Sequence, residues 1–172
     1  HDIEFYPKPV QKPHPPLYIG GYITDGRQHF GVSTGKRPPA LVRAARLGDG
    51  WIPCGATTDE VRRGVAMLRD LTREIGGNPR RKRIISHNMV SIGKTMREAK
   101  RVASSSMVER FGSVEAGMER AIVGTPDDAI KRFEDYAEAG ATNFLIGFFT
   151  PTPQEVLSSM KMFSKEILPS LS

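Results

Sequence analysis

Short apolar runs alternate with helix-opening signals along this chain, strand then helix, four times over. Strict alternation of this kind leaves few architectures open, because each strand needs helical cover before the next one begins. The clearest signal is Gly124-Thr125-Pro126-Asp127-Asp128. Thr125 caps, Pro126 carries the φ of a first helical turn, and the two aspartates favour the positive end of the helix dipole. Thr57 with Glu60 and Thr95 with Glu98 have capping-box spacing, and Thr152-Pro153-Gln154-Glu155 opens the last helix by the same chemistry.

The first strand is Leu17 to Ile19, introduced by the stiff stretch Pro13-His14-Pro15-Pro16 and ended by Gly20-Gly21. Residues 22–39 form a long polar loop, and a short helix runs from Ala40 to Leu47, with Pro38-Pro39 at its start and Gly48 as its stop. Asp49-Gly50 turns into a second strand, Trp51 to Pro53. Asp49 is expected to fix that turn or to pair with Arg43 or Arg46, and Trp51 to pack. The helix opened by Thr57 places Val61, Val65, Leu68, Leu71 and Ile75 on one face. Arg83 to Ile92 is a third strand whose alternation is broken by Ser86-His87-Asn88, and Thr142 to Phe149 is a fourth, almost continuously apolar. A run like the last suits a strand covered on both faces. The fold class is therefore α/β, parallel strands with helical cover. Pattern alone leaves a small open sheet and one half of an eight-stranded barrel equally possible.

Charge and cysteine content narrow the partners. The formal charge is +6, but the basic residues are dispersed apart from Arg80-Arg81-Lys82-Arg83, which reads as a solvated loop. Specific nucleic-acid binding is not expected from net sign alone. Cys54 is the single cysteine and has no base or partner thiol beside it in sequence, so the expected location is a reducing compartment, the cytoplasm. No apolar run approaches the length of about 18 residues that a membrane span needs. Four scattered histidines offer no metal site.

Three blocks carry a family resemblance: PKPVQKPHPPLYIGG (7–21), LVRAARLGDGWIP (41–53) and GTPDDAIKRFEDYAEAGATNFLI (124–146). In this order they resemble the bacterial-luciferase-like superfamily of flavin- or deazaflavin (F420)-dependent oxidoreductases. The resemblance implies a (β/α)8 barrel with the cofactor ring at the C-terminal mouth of the strands. It implies that residues 1–172 are the C-terminal half of one such domain, a (β/α)4 portion of a TIM barrel, with a polar insertion at 22–39. The implied cofactor is coenzyme F420 or FMN. The implied reaction is hydride transfer or monooxygenation on a small organic substrate.

On that reading Gly20 and Gly21 are the first cofactor contacts, since missing Cβ atoms let the backbone approach a phosphate or ring edge. Lys36 and Arg37 are candidate partners for an anionic cofactor tail. His87, on its strand, and Phe148, at a strand end, are candidates for the substrate pocket. Four strands alone leave two edges unpaired, which implies a homodimer or association with an N-terminal half. The reading from another class is a non-catalytic α/β scaffold that binds a phosphorylated ligand or a protein partner.

Overall fold

Local capping chemistry sets the helix starts. In the computed structural model, which describes residues 6–22, 38–150 and 152–171, Thr57, Thr125 and Thr152 each close a full capping box with Glu60, Asp128 and Glu155. These open α2 (Thr58–Glu74), α5 (Pro126–Glu138) and α6 (Pro153–Glu166). Thr95 caps α3 (Met96–Phe111) through the Glu98 N–H, while the Glu98 carboxylate receives the Lys94 N–H instead. Pro38 and Pro39 start α1 (Pro39–Leu47).

The strands are β1 (Tyr18–Gly20), β2 (Gly50–Ile52), β3 (Arg83–Ile92), β4 (Ile122–Gly124) and β5 (Asn143–Phe148). All strand pairings among the described residues are parallel. β1 pairs with β2, β2 with the start of β3, and β3 along its other edge with the whole of β5. Ignoring β4, the order in space is thus the order in sequence. A doubly wound open sheet reverses direction at a switch point, whereas a barrel adds each strand beside the last. The winding here is that of a barrel.

The structure corrects the element count. Between β3 and α5 the chain makes an excursion through α3, α4 (Val114–Arg120) and β4, which pairs Ile122–Gly124 with Val90–Ile92. The sequence reading has no strand here, because two apolar residues before a cap carry no periodicity. This excursion builds its own small core from Ala99, Ala103, Met107, Val123 and Phe149. The main core lies between the sheet and α1, α2 and α5, with Leu41, Trp51, Val61, Leu68, Phe133 and Tyr136 essentially sealed from solvent.

Two polar anchors hold the base of the sheet. Asp49 accepts the Leu17 N–H on its carboxylate at 2.7 Å, and it donates its own N–H to the Leu17 carbonyl at 2.6 Å, so it fastens β1 to the turn before β2. Lys82 is the correction within the basic run. Its ammonium donates to the carbonyls of Ala44, Ala45 and Gly48 at 3.1, 2.9 and 2.6 Å, closing the negative end of α1. Burial lowers its pKa first, and Asp49 opposes that shift. Among the described residues, no strand pairs with the outer edges of β1 and β5.

Candidate functional site

Side chains on β3 divide by the two-residue period of a strand. Ile84, Ser86, Asn88 and Val90 are buried on the side of the main core. Ile85, His87, Met89 and Ser91 project to the opposite face. On β5 the same split puts Phe144, Ile146 and Phe148 toward the helices and leaves Leu145 and Gly147 on the other side. A Cβ on Gly147 would lie 2.7 Å from Met89 Sδ and 4.0 Å from His87 Nε2, so these three residues share one surface.

That second face is roofed at its upper end and open below. Ser91 Oγ donates to the Ala99 carbonyl of α3 at 2.9 Å, and Met89 packs on the excursion's core. Lower down, Leu145 is 49% exposed. Register carries the surface across the sheet. Gly20 pairs with Ile52, and Cys54 bridges to His87, with the His87 N–H donating to Pro53 O at 3.0 Å and the Gly55 N–H to His87 O at 3.1 Å. Directly paired residues present their side chains to the same face. Gly20, Cys54 and His87 therefore share one face, with Gly20 and Cys54 at the C-terminal ends of β1 and β2, the end where barrel enzymes keep their chemistry.

Burial and one nearby cation act on both titratable groups of this surface. Burial lowers the His87 pKa, and the Arg110 guanidinium from the last turn of α3 pushes it the same way. Burial raises the Cys54 pKa, with Arg110 opposing. At neutral pH the site thus presents a neutral imidazole and a neutral thiol under a nearby positive charge. A neutral imidazole has one donor and one acceptor nitrogen and can meet a substrate oxygen or hydroxyl in either role.

The sign of the His87 shift yields an expected pH dependence. A depressed folded-state pKa means that the unfolded chain takes up the proton first, so the contribution from His87 is present above the ordinary imidazole value of 6.5 and is lost as pH falls through and below it. His87→Gln is expected to lose less stability than the parent between about pH 7.5 and about pH 5. Urea midpoints at both pH values check this, and parallel loss in the two proteins contradicts it.

Behind the site, a polar network ties the loop after β2 to the helix layer. Arg120 donates to both Glu60 carboxylate oxygens at 2.7 and 3.1 Å and to the Gly55 carbonyl at 3.0 Å. The buried Tyr136 hydroxyl lies 2.7 Å from the Ala56 carbonyl and 3.2 Å from that of Arg120. Asn88 is fully buried; its amide lies near Tyr136, but neither polar atom meets a partner at hydrogen-bonding geometry.

The residues expected to form the site separate on inspection. Gly20 is exposed, and a Cβ there would meet nothing within 4 Å. Gly21 is a packing glycine: its φ is +153°, and a Cβ would lie 2.4 Å from that of Ala40. Its N–H donates to Ile52 O at 3.3 Å and its carbonyl accepts from Trp51 Nε1 at 2.9 Å, so its polar groups are engaged within the fold. His87 lies on the open face as described. Phe148 does not: its ring packs edge-on to Phe163 of α6 at 6.4 Å, because its strand parity turns it to the helices. Lys36 and Arg37 lie outside the described residues. Arg110, Met89 and Gly147 were not singled out from sequence, and only register and the path of α3 bring them here.

No family model matches the sequence, and no curated protein matches it. Solved structures do match in fold. An F420-dependent secondary alcohol dehydrogenase in complex with an F420–acetone adduct superposes with a TM-score of 0.72 at 18% identity, over 97% of this chain and 51% of that one. A monooxygenase from Streptomyces bottropensis gives 0.68 at 22% identity, with the same coverage of 97% and 51%. The oxygenating constituent of 3,6-diketocamphane monooxygenase of Pseudomonas putida, a type II Baeyer-Villiger enzyme in complex with FMN, gives 0.64 at 16%, over 91% and 49%. The chain spans about half the length of these structures, and at such identities the agreement is one of fold. Barrel winding and this set of matches together give the chain the fold seen over about half of each of these structures.

Proposed function

We propose that residues 1–172 are the C-terminal half of a luciferase-like barrel oxidoreductase that uses coenzyme F420 or FMN on a small organic substrate. The observation that carries this reading is the parallel run β1-β2-β3-β5, wound in sequence order, with an inner face open around Leu145 and, among the described residues, two unpaired edges. Four strands of this kind need four more to close. A second half of the domain, or a second copy of the chain, would supply them.

The residues at the strand ends fit a flat ring system. Gly20 leaves open space where a side chain would stand, Ile52 and Met89 offer apolar surface, and Gly147 lets Met89 lie flat against the sheet. The bound cofactor would supply hydride transfer, or oxygen activation in the case of reduced FMN. This chain would supply the wall of the pocket, a neutral His87 as hydrogen-bond partner for a substrate oxygen, and the positive field of Arg110. Substrate choice would fall largely to residues outside the described ones and to the complementary half.

Fluorescence titration tests the reading. FMN and F420 are each added to the chain, whose fold is monitored by circular dichroism, and light scattering reports its association state. Saturable quenching by one cofactor is expected, weakened by Gly20→Val, together with a species larger than a monomer. A folded, stable monomer that leaves both cofactors unquenched at about 50 µM would overturn the reading, since ordinary flavoprotein affinities are tighter than that.

A further inference from the structure

A cavity of about 610 Å³ opens at the other pole of the sheet, where α2 faces the starts of β3 and β5. Its volume is that of a small-molecule site. Its floor is Val65, Leu68 and Ile84. Its rim carries four cations, Arg69 and Arg73 from α2, Arg80 from the 3-10 turn Pro79–Arg81, and Lys82, and not one carboxylate lines it. The cations come from two segments, α2 and the turn that leads into β3, and converge on one concavity.

The four cations are not equivalent. Lys82 is consumed by the α1 carbonyls, and Arg73 pairs with Asp70 at 2.6 Å. Arg69 and Arg80 have no ion pair among the described residues. The turn that carries Arg80 is held in place, because the Asn78 side-chain oxygen accepts the Arg80 N–H at 3.0 Å. That bond also leaves the Asn78 amide NH2 as a free donor at the cavity wall. Two guanidinium forks and an amide donor form a receptor for oxygen pairs on phosphate or carboxylate groups.

We infer that this cavity is a binding site for a small multivalent oxyanion, held chiefly by Arg69 and Arg80. The site is bounded by α2, the segment Asn78–Lys82, Ile84 of β3, and Gly140 and Thr142 ahead of β5. Every residue that lines it belongs to this chain. It stands apart from the proposed cofactor mouth, and its success or failure is read independently of that proposal. A concave pocket with two unpaired arginines suits a compact ligand rather than a nucleic-acid backbone, which needs a longer basic track.

Isothermal titration with inorganic pyrophosphate and with citrate tests the inference, the two probes separating a phosphate preference from a carboxylate one. The expected result is saturable one-to-one binding of at least one probe. Arg69→Gln/Arg80→Gln should weaken it at least about tenfold, since two charge-assisted contacts are lost. Arg97→Gln/Arg101→Gln removes the same net charge from exposed positions on α3 and should leave binding unchanged. All substituted side chains are exposed, and circular dichroism confirms that the variants fold. Absence of saturable binding of both probes, equal weakening by the two double variants, or preferential binding of an oligonucleotide through the same arginines would each overturn the inference.

Discussion

Replacing Arg120 with methionine is expected to destabilise the chain by about 3 kcal/mol, because it strands a buried carboxylate. The Glu60 side chain is only 10% exposed, and both its oxygens face the Arg120 guanidinium. One of them also accepts the Thr57 N–H of the α2 capping box, so this carboxylate cannot swing out to water without opening the helix start. The Gly55 carbonyl loses its donor in the same step. An exposed pair makes the contrast: Arg62 and Asp59 also touch, at 56% and 80% side-chain exposure, and Arg62→Met should cost less than about 1 kcal/mol. Urea midpoints of the two variants check the difference. The double variant Arg120→Met/Glu60→Gln should recover part of the loss, since the unpaired charge is gone. Equal costs for Arg62→Met and Arg120→Met would show that the network is not buried in solution.

The Arg120 prediction reaches the proposed site as well. Arg120 and Tyr136 hold the carbonyls of Gly55 and Ala56, next to Cys54. Loosening them should expose Cys54, and faster alkylation of its thiol in Arg120→Met than in the parent is the expected companion result.

Gly50→Ala is expected to be the most damaging single methyl in the sheet. A Cβ at Gly50 would lie 2.1 Å from the Arg83 carbonyl oxygen and 2.9 Å from its carbonyl carbon. Those atoms belong to the paired backbone of β3, so no side-chain rotation relieves the overlap; β2 and β3 must move apart. Overpacking costs about 1–3 kcal/mol where side chains can adjust, and a backbone clash sits at or beyond the top of that range. Gly20→Ala is the control. It has open space, and should change stability by less than about 0.5 kcal/mol. Denaturant midpoints and soluble yield separate the two, and a Gly50→Ala protein as stable as Gly20→Ala would contradict the β2–β3 register.

The helix starts were legible because capping is a dialogue between residues three apart. Thr57 with Glu60, Thr125 with Asp128 and Thr152 with Glu155 close as their spacing predicts, and Pro38-Pro39 begins a helix as proline does. The apolar face of α2 from Val61 to Leu71 and the long strand Arg83–Ile92 were legible for the same reason, since both periods are local; Ile75, expected on that face, instead stands exposed at the C-cap. Trp51 packs in the core, as read. The sequence of β4, Ile122–Gly124, is too short to show a period and becomes a strand only because Val90–Ile92 offers it a ladder.

Site residues were legible only in part. His87 could be placed on a strand, but its neighbour Cys54 lies 33 positions earlier and joins it through the register of two strands. Phe148 belonged to the correct strand and the opposite face, an error of one step in parity that a continuously apolar run cannot reveal. The basic run looked uniform in one dimension. In three, Lys82 closes a helix, Arg83 reaches Asn143, and Arg80 borders a cavity.

By itself, the order of residues determined the alternation of strand and helix, the points where helices open, and the apolar faces they bury, because each depends on atoms within about one helical turn. Only the tertiary structure decided the barrel-like winding, the face that Cys54, His87 and Gly20 share, and the contacts of Arg120 and Lys82. Those follow from strand register and from hydrogen bonds that span 30 to 65 positions, for example Trp51 to Gly21 and Arg120 to Gly55, and no short-range pattern encodes such distances.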